Sequence, residues 1–405
     1  MPEVDLLREW SAVASLRDDW RRLHAVTPGA TFFHSFDWLE TYWKFYGEGQ
    51  ALRIYVVREA GEVTGIVPLV VLEEPSKLGP LRILTYPLAY WGSYYGPIGP
   101  QPRDALAAAI EMLSHEQRNW DLLDLRFSPA ATLDHADTLE VMTAAGFEPA
   151  LKLVDHTSFI DLPGTFDDYL ATRPAKWRTN YRRWLRRLHE RGTVRYERYS
   201  PMGAIVPGAS PTDADPRWDL YDACESIARK SWQGSSTTGT TLTHESIRPF
   251  LRAMHETACR AGAADVHLLY LDDQPLAFLY AYRCRDTMYG LRIGFDATLS
   301  KDGVGNIMYM HALEDSIRRG IRTFDLGPGS LKAKESICSR VEPIYRLPYA
   351  NAYSWRGFAW RMKQTLSKTE AALAEYNADF PANRTTDSTK SPAAGDQRAP
   401  LSSST

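Results

Sequence analysis

One order of elements occurs twice in this chain, and any fold must accommodate it. In the first half, residues 52–58 and 63–72 flank a Glu-Ala-Gly-Glu turn and read as a β-hairpin. A third strand over 81–86 follows, then a Gly/Pro-rich aromatic loop over 87–102 and a helix over 104–118. The half closes with a strand at 122–126, a helix over 134–145 stopped by Gly146, and an extended stretch over 151–160. An entry helix over 12–24 and the aromatic run Phe32, Phe33, Phe36, Trp38 and Trp43 precede it. After a Pro/Gly/Ser/Asp-rich connector over 200–216, the second half predicts a three-stranded meander over 266–271, 275–284 and 287–295. A helix over 305–319 comes next, its stripe Tyr309, Met310, Leu313 and Ile317 apolar and its end marked by Arg318-Arg319-Gly320. A strand at 323–326, a short helix near 331–338 and a last strand over 344–353 complete the unit. Each half places Asp-Leu after its long helix, as Asp124-Leu125 and Asp325-Leu326.

This pseudo-duplication predicts an α/β fold with a mixed sheet, arranged as two tandem domains. The expected division is a first domain over 1–199 that includes a basic helix, a linker over 200–217, and a second domain over 218–365. Residues 366–405 lose apolar periodicity and become rich in Ser, Thr, Pro and Ala, the composition of a disordered tail.

Charge and cysteine usage narrow the function classes. Forty-seven Lys and Arg against 50 Asp and Glu give a net charge of −3, which removes any global drive toward nucleic acid or an anionic membrane, so only a local basic patch can reverse it. Cys224, Cys259, Cys284 and Cys338 form no CxxC pair and the histidines do not cluster, so neither a metal site nor a disulfide framework is expected. The first residues lack the apolar core of a signal peptide, and no apolar run nears the roughly 18 to 20 residues of a membrane span. A cytoplasmic protein without a transmembrane segment is the expectation.

Three local features carry chemistry. The segment Ser300-Lys301-Asp302-Gly303-Val304-Gly305-Asn306 sets glycines at a strand-to-helix turn, where free backbone N–H groups and the positive helix end suit a pyrophosphate, with Lys301 adding a charge. The plainer reading is a tight turn that starts a helix. Between Arg173 and Arg198 stand ten Lys/Arg and two Glu. There Trp177, Tyr181, Trp184 and Leu188 share one helical face as core, while Arg178, Arg182, Arg183, Arg186 and Arg187 cover the rest as a solvated face or a polyanion contact. Trp232, in a polar loop over 231–241, either stacks on a substrate or anchors the loop. No hydrolase elbow, P-loop lysine or metal motif is present.

In this order the pieces resemble the Gcn5-related N-acetyltransferase (GNAT) superfamily. The similarity is to its tandem branch of cellulose- and exopolysaccharide-associated acetyltransferases, related to the Fem-type peptidyltransferases. They are Phe32-Phe33-His34-Ser35-Phe36-Asp37-Trp38-Leu39, Gly65-Ile66-Val67-Pro68-Leu69, the basic helix over 178–188, Ser231-Trp232, Gly294-Phe295-Asp296, the Gly303–Gly305 turn, and Phe324-Asp325-Leu326-Gly327 followed by Lys334. The resemblance implies acetyl-CoA or another acyl-CoA as donor, lying between splayed strands over 287–295 and 323–326, with its pyrophosphate at Ser300, Lys301, Gly303, Val304, Gly305 and Asn306. Two positions depart from the family pattern: Ser300 stands where Arg or Gln is usual, and Ala333 precedes Lys334 where the related branch often has Tyr.

Acyl transfer needs a base for the nucleophile, a stabiliser for the oxyanion and a proton for the departing thiolate. Asp325 and Asp296 are the candidate bases and Lys334 the candidate oxyanion or substrate contact; strand-end and turn capping, and a solvated lysine, are the plainer readings. Tyr345 and His311 are alternative proton carriers. Trp232, Arg178, Arg182 and Arg292 are the candidate substrate contacts. The function expected is transfer of an acyl group, N- or O-acetyl, to a sugar, a polysaccharide precursor or another small polar acceptor. A Fem-like transferase using charged tRNA and a non-catalytic binding subunit of polysaccharide assembly are the competing expectations, and no DNA specificity is expected.

Overall fold

The hairpin signal at residues 51–74 is realised as two long strands joined through Ala60 and Gly61, both at positive φ (50° and 84°), the left-handed pair that a two-residue turn demands. The computed structural model describes residues 2–364, apart from 78, 88–91, 93–94, 127–132, 163, 202–213, 237–240 and 330. Most of the connector, part of the loop after Trp232 and the expected tail over 366–405 lie outside the described residues.

The strands are β1 (Glu3–Leu7), β2 (Ala51–Glu59), β3 (Glu62–Glu74), β4 (Leu81–Thr85), β5 (Leu122–Arg126), β6 (Lys152–Asp161), β7 (Val194–Tyr199), β8 (Ala264–Leu271), β9 (Gln274–Cys284), β10 (Thr287–Phe295), β11 (Thr323–Pro328) and β12 (Arg340–Ala350). Among them run α1 (Trp10–Ala14), α2 (Arg17–Val26), α3 (Phe36–Tyr46), α4 (Pro102–His115), α5 (His135–Ala144), α6 (Phe166–Ala171) and α7 (Ala175–Arg191). Then come α8 (Trp218–Lys230), α9 (Arg248–Arg260), α10 (Val304–Arg318), α11 (Leu331–Lys334) and α12 over 355–364. The expected entry helix is divided: α1 and α2 meet at Ser15 and Leu16.

All strands join one mixed sheet in the order β1-β2-β3-β4-β5-β12-β6-β11-β10-β9-β8-β7. That order is a palindrome about the β12–β6 seam. Parallel pairing occurs at β4–β5 and, correspondingly, at β10–β11; the other neighbours are antiparallel. Each half thus ends on a strand supplied by the other part of the chain. β6, which follows the first unit in sequence, pairs with β11, and β12, at the end of the second, pairs with β5. The basic helix α7 also packs with the second half. Its Trp177, Tyr181 and Leu188 share a core with Leu269, Ile307, Leu313 and Phe324, and β7 pairs with β8. Hydrogen bonding therefore groups residues 152–199 with the second half, whereas chain order sets them in the first.

Three apolar cores fill the layers: one under α1–α3, one under α7 and α10, and one in which α4, α5, α8 and α9 residues meet through Phe32, Phe33 and Trp38. The aromatic run thereby joins the halves, with Phe32 edge-on to Tyr282 at 4.9 Å between centroids.

Candidate active site

The parallel pairing of β10 with β11 stops after Tyr289↔Asp325, yet β10 runs on to Phe295 and β11 to Pro328. The strands separate there because each deviates locally. In β10 the partnering with β9 passes from Gly290↔Ala281 to Arg292↔Tyr280, a bulge that leaves Leu291 out of register. In β11, Gly327 takes φ 72° and the pairing with β6 skips from Asp325 to Pro328. Both positions are tight for a side chain: a Cβ at Gly290 would lie 3.1 Å from the Asp325 carbonyl oxygen, and one at Gly327 3.2 Å from the Gly290 carbonyl oxygen.

Asp325 sits at the fork of this splay and is 1% exposed. Its Oδ1 accepts from the Thr157 hydroxyl and from the Gly327 N–H, both at 2.8 Å. Gly327 also receives Lys334, whose Nζ donates to the Gly327 and Pro328 carbonyls at 2.7 and 3.0 Å. One glycine therefore links the two candidate groups. Burial lowers the Lys334 pKa from its usual value, opposed by the nearby Asp325 and Asp155 carboxylates and reinforced by Arg292. Arg292 lies just past the bulge, and its guanidinium, pushed down to about 10 by burial, donates to the Leu291 carbonyl at 2.6 Å.

The other residues singled out from the sequence fall elsewhere. Asp296 caps the short turn Ala297–Asp302, accepting from the Thr298 N–H at 3.0 Å and hydroxyl at 2.7 Å, which holds its pKa low. Seven residues of strand separate it from Tyr289, roughly 20 Å at about 3.3 Å per residue, so the two aspartates are not brought together. Trp232 is 53% exposed, on a turn tied to β10 by the buried Gln233, whose amide donates to the Ile293 carbonyl at 3.2 Å. Tyr345 packs tilted against His135, and His311 stacks on Tyr196.

Gly303, at φ 68°, begins α10, whose first intrahelical bond is Ile307 N–H to the Gly303 carbonyl (3.0 Å), so the amides of Val304, Gly305 and Asn306 precede the ladder. Packing already claims both glycines. A Cβ at Gly303 would fall 2.3 Å from the Trp184 indole, and one at Gly305 3.0 Å from the Phe295 ring. α7 thus lies across this turn, with Arg191 paired to Asp302 at 2.7 Å. Lys301 is exposed, and the Ser300 side chain lies outside the described residues. Arg178 and Arg182 stand on α7, half-buried and exposed respectively, and no described contact links them to the Asp325 fork.

The sequence pointed to neither Thr157 nor Gly290, and to Gly327 only as part of the segment Phe324–Gly327. Thr157 lies 168 residues from its partner Asp325. For Gly327 a signal existed in the contrast between Asp124-Leu-Arg126 and Asp325-Leu-Gly327.

Residues 175–335, which hold α7, the meander, the splay, the glycine turn and Lys334, match the acetyltransferase (GNAT) domain family. That segment carries a GNAT-type domain, which supports an acyltransferase. Among solved structures it is similar to FemX at 14% identity, with 83% of this chain and 96% of that one covered and a TM-score of 0.55. It is also similar to a conserved protein of unknown function from Bacteroides thetaiotaomicron at 13% identity, with 86% and 99% covered and a TM-score of 0.51. At these identities the likeness is one of fold. No curated protein sequence matches the chain. Among the described residues, no cluster of His, Cys, Asp or Glu could hold a metal ion, and no helix is long and apolar enough to cross a membrane.

Proposed function

We propose that the protein transfers an acyl group, acetyl in the simplest case, from acyl-CoA to an amine or hydroxyl of a sugar, a polysaccharide precursor or a similar polar acceptor. The observation that carries this reading is the fork itself: two parallel strands that part at Asp325, with a bulge on one side and Gly327 on the other. A backbone opened in this way offers strand-edge groups to an amide-bearing chain. Arg292, Gln233 and the first amides of α10 line the same stretch of β10 and its outlet, and Lys301 supplies a cation there.

Acyl-CoA would supply an activated thioester. This chain's residues would do the rest. Asp325, held as an acceptor by Thr157 and Gly327, takes the proton of the attacking amine or hydroxyl, directly or through one water. The amide freed by the Leu291 bulge and the Lys334 ammonium face the carbonyl oxygen as charge develops on it, and Lys334 is the proton source for the departing thiolate. Trp232 borders the acceptor side. The exopolysaccharide connection belongs to this reading and comes from family resemblance; a cytoplasmic setting also belongs to it and rests on the scattered, unpaired cysteines.

A second reading, aminoacyl transfer from charged tRNA, is favoured by one observation. Among the described residues, Arg182 and Arg187 on α7 have no carboxylate within 4.0 Å and face solvent, as a phosphate backbone would require.

The discriminating experiment is a thermal-stability titration with CoA and acetyl-CoA, because a ligand that binds the folded state raises stability by RT ln(1 + [L]/Kd). A saturable rise with both is expected. No shift at millimolar ligand, together with a salt-sensitive rise on adding tRNA, would transfer the assignment to the second reading.

A further inference from the structure

Beneath the C-terminal end of α10 the sheet carries more donors than acceptors. Asp265 of β8 is 0% exposed and both of its oxygens are engaged. Arg198 of β7 donates to Oδ1 at 2.8 Å and to Oδ2 at 2.7 Å, the His267 Nε2 lies 2.9 Å from Oδ1, and Arg319 donates to Oδ2 at 3.0 Å. Asp315 of α10 accepts from Arg319 at 2.7 Å, with Arg198 at 3.4 Å and the exposed Arg318 at 3.8 Å. The last carbonyls of the helix are engaged as well, by the N–H groups of Arg319, Gly320 and Ile321.

Arg283 is the guanidinium left over. It stands on β9 two residues from Ala281, the strand partner of Asp265, and so shares the face that α10 covers. Its main-chain N–H is fixed on the Ala263 carbonyl at 2.7 Å. Among the described residues no carboxylate lies within 4.0 Å of its guanidinium, and its Nε is buried without a hydrogen bond. The Nη2 of Arg319 and the hydroxyl of Ser316, a residue 0% exposed on the last turn of α10, are buried without a partner too. Burial and the nearby Arg319 and Arg198 push the Arg283 pKa down, against the pull of Asp265 and Asp315.

Donors held in place, with the neighbouring carboxylates already engaged, suit a ligand that brings only acceptors and negative charge. Water can satisfy a donor, but it leaves the repulsion between guanidiniums standing. The oxygens of a phosphoryl group match the guanidinium fork and supply the missing charge. Arg283 is half-buried, so such a ligand can reach it from solvent. We infer that Arg283, together with Arg319 and Arg198, forms a binding site for a phosphoryl group, carried by inorganic phosphate or by a phosphate monoester. The site is distinct from the glycine turn, since Gly303 and Arg319 bound opposite ends of α10, roughly 24 Å apart at about 1.5 Å per residue. The inference therefore holds whichever donor the active site takes.

The test is a thermal-stability titration of the full chain with sodium phosphate and, separately, with glycerol 3-phosphate, each against sodium chloride at matched ionic strength. A saturable rise of about 2 °C at tenfold excess over Kd is expected, and the ligand that binds more tightly identifies the source. Arg283→Met keeps the aliphatic stem and should weaken binding at least about tenfold, with the midpoint in chloride unchanged or raised because an unpaired charge is gone. Arg283→Lys keeps the charge but not the fork and should lose only about three- to fivefold. No saturable rise with either ligand up to about 50 mM would overturn the inference, as would an equal rise in Arg283→Met. So would a rise that Lys301→Ala abolishes, since phosphate would then bind at the start of α10.

Discussion

The two halves of the sheet place an aspartate at the same point and treat it oppositely. Asp124 in β5 and Asp325 in β11 are 0% and 1% exposed, and each lies beside a strand exchanged from the other part of the chain, Asp124 opposite Pro348 and Asp325 opposite Phe159. In both halves the residue two positions before that partner reaches the carboxylate. In the first it is Arg346, in the second Thr157. The residue two positions after the aspartate also reaches it: the Arg126 guanidinium at 2.9 Å in the first half, the bare Gly327 amide at 2.8 Å in the second. Two guanidiniums neutralise Asp124 and fill the space around it. A hydroxyl and an amide reach Asp325 where two guanidiniums reach Asp124.

The strand before the aspartate differs too. β4 stops at Thr85, and Ile98 bonds onto Ile66 of β3 through two 2.8 Å hydrogen bonds, whereas in the other half β10 itself runs on beside β9 to Phe295. α4 begins with Pro102 after Gln101, where α10 begins at the left-handed Gly303. What separates the halves is a handful of side chains on one connectivity.

The sharpest way to break this comparison is to neutralise each aspartate. Asp325→Asn should lower kcat by about 10² to 10⁴-fold, the range for losing a general base, with little change in thermal midpoint. Steady-state thioester turnover reads this directly; activity within threefold of the parent would remove Asp325 from the mechanism. Asp124→Asn should do the reverse, leaving turnover intact while costing about 2–3 kcal/mol of stability, because Arg126 and Arg346 lose their buried counter-charge, discounted for their partial exposure. Denaturant unfolding measures that loss, and a stable Asp124→Asn protein would mean that the ion pairs do not hold the first half shut.

Lys334 sharpens the second half alone, for residues 127–134, which follow β5 in the first half, contain no lysine. Lys334→Ala should reduce kcat about 10 to 50-fold with substrate affinity largely kept, as for loss of one oxyanion contact in a partly solvated site. Because burial lowers its pKa, the charged form is lost at lower pH than for an ordinary lysine, and the rate should fall on the alkaline side below that usual value. Lys334→Arg stays charged and should move that alkaline limb upward. An unmoved limb would show that the lysine's charge plays no part.

How much of this was legible depends on the range over which each feature is encoded. The duplication, the hairpins and the Asp-Leu pairs are local patterns, so β10 occupies residues 287–295 and β5 residues 122–126 as the sequence predicts. β7 escaped notice because Val194-Arg-Tyr-Glu-Arg-Tyr199 alternates charge with aromatics and lies half-buried at the sheet's edge, where apolar alternation is weak. The exchange of β6 and β12 has no local signature at all, since either strand would satisfy the same pattern beside β5 or β11. The Gly303 turn was legible as a turn, but its sterically tight neighbour Trp184 stands 119 positions away, so the indole packed against it has no local signature. Substituting Gly303 would disturb this packing first, which makes Lys301 the better probe of donor binding.

Thr157 gives the smallest and most specific test, because it differs from its first-half counterpart Arg346 only in what it offers the aspartate. Thr157→Val keeps the shape and removes the hydroxyl that donates to Asp325. A donor bonded to the charged carboxylate favours that form; without it the proton is held to higher pH. The acidic limb of the rate profile should therefore move upward, and kcat at neutral pH should fall about tenfold, the size of one hydrogen bond to a charged group, while KM stays near the parent value. A merely structural threonine would lower stability without moving the limb. The exchanged strand would then serve the second half only as scaffold, and the contrast with Arg346 would lose its functional meaning.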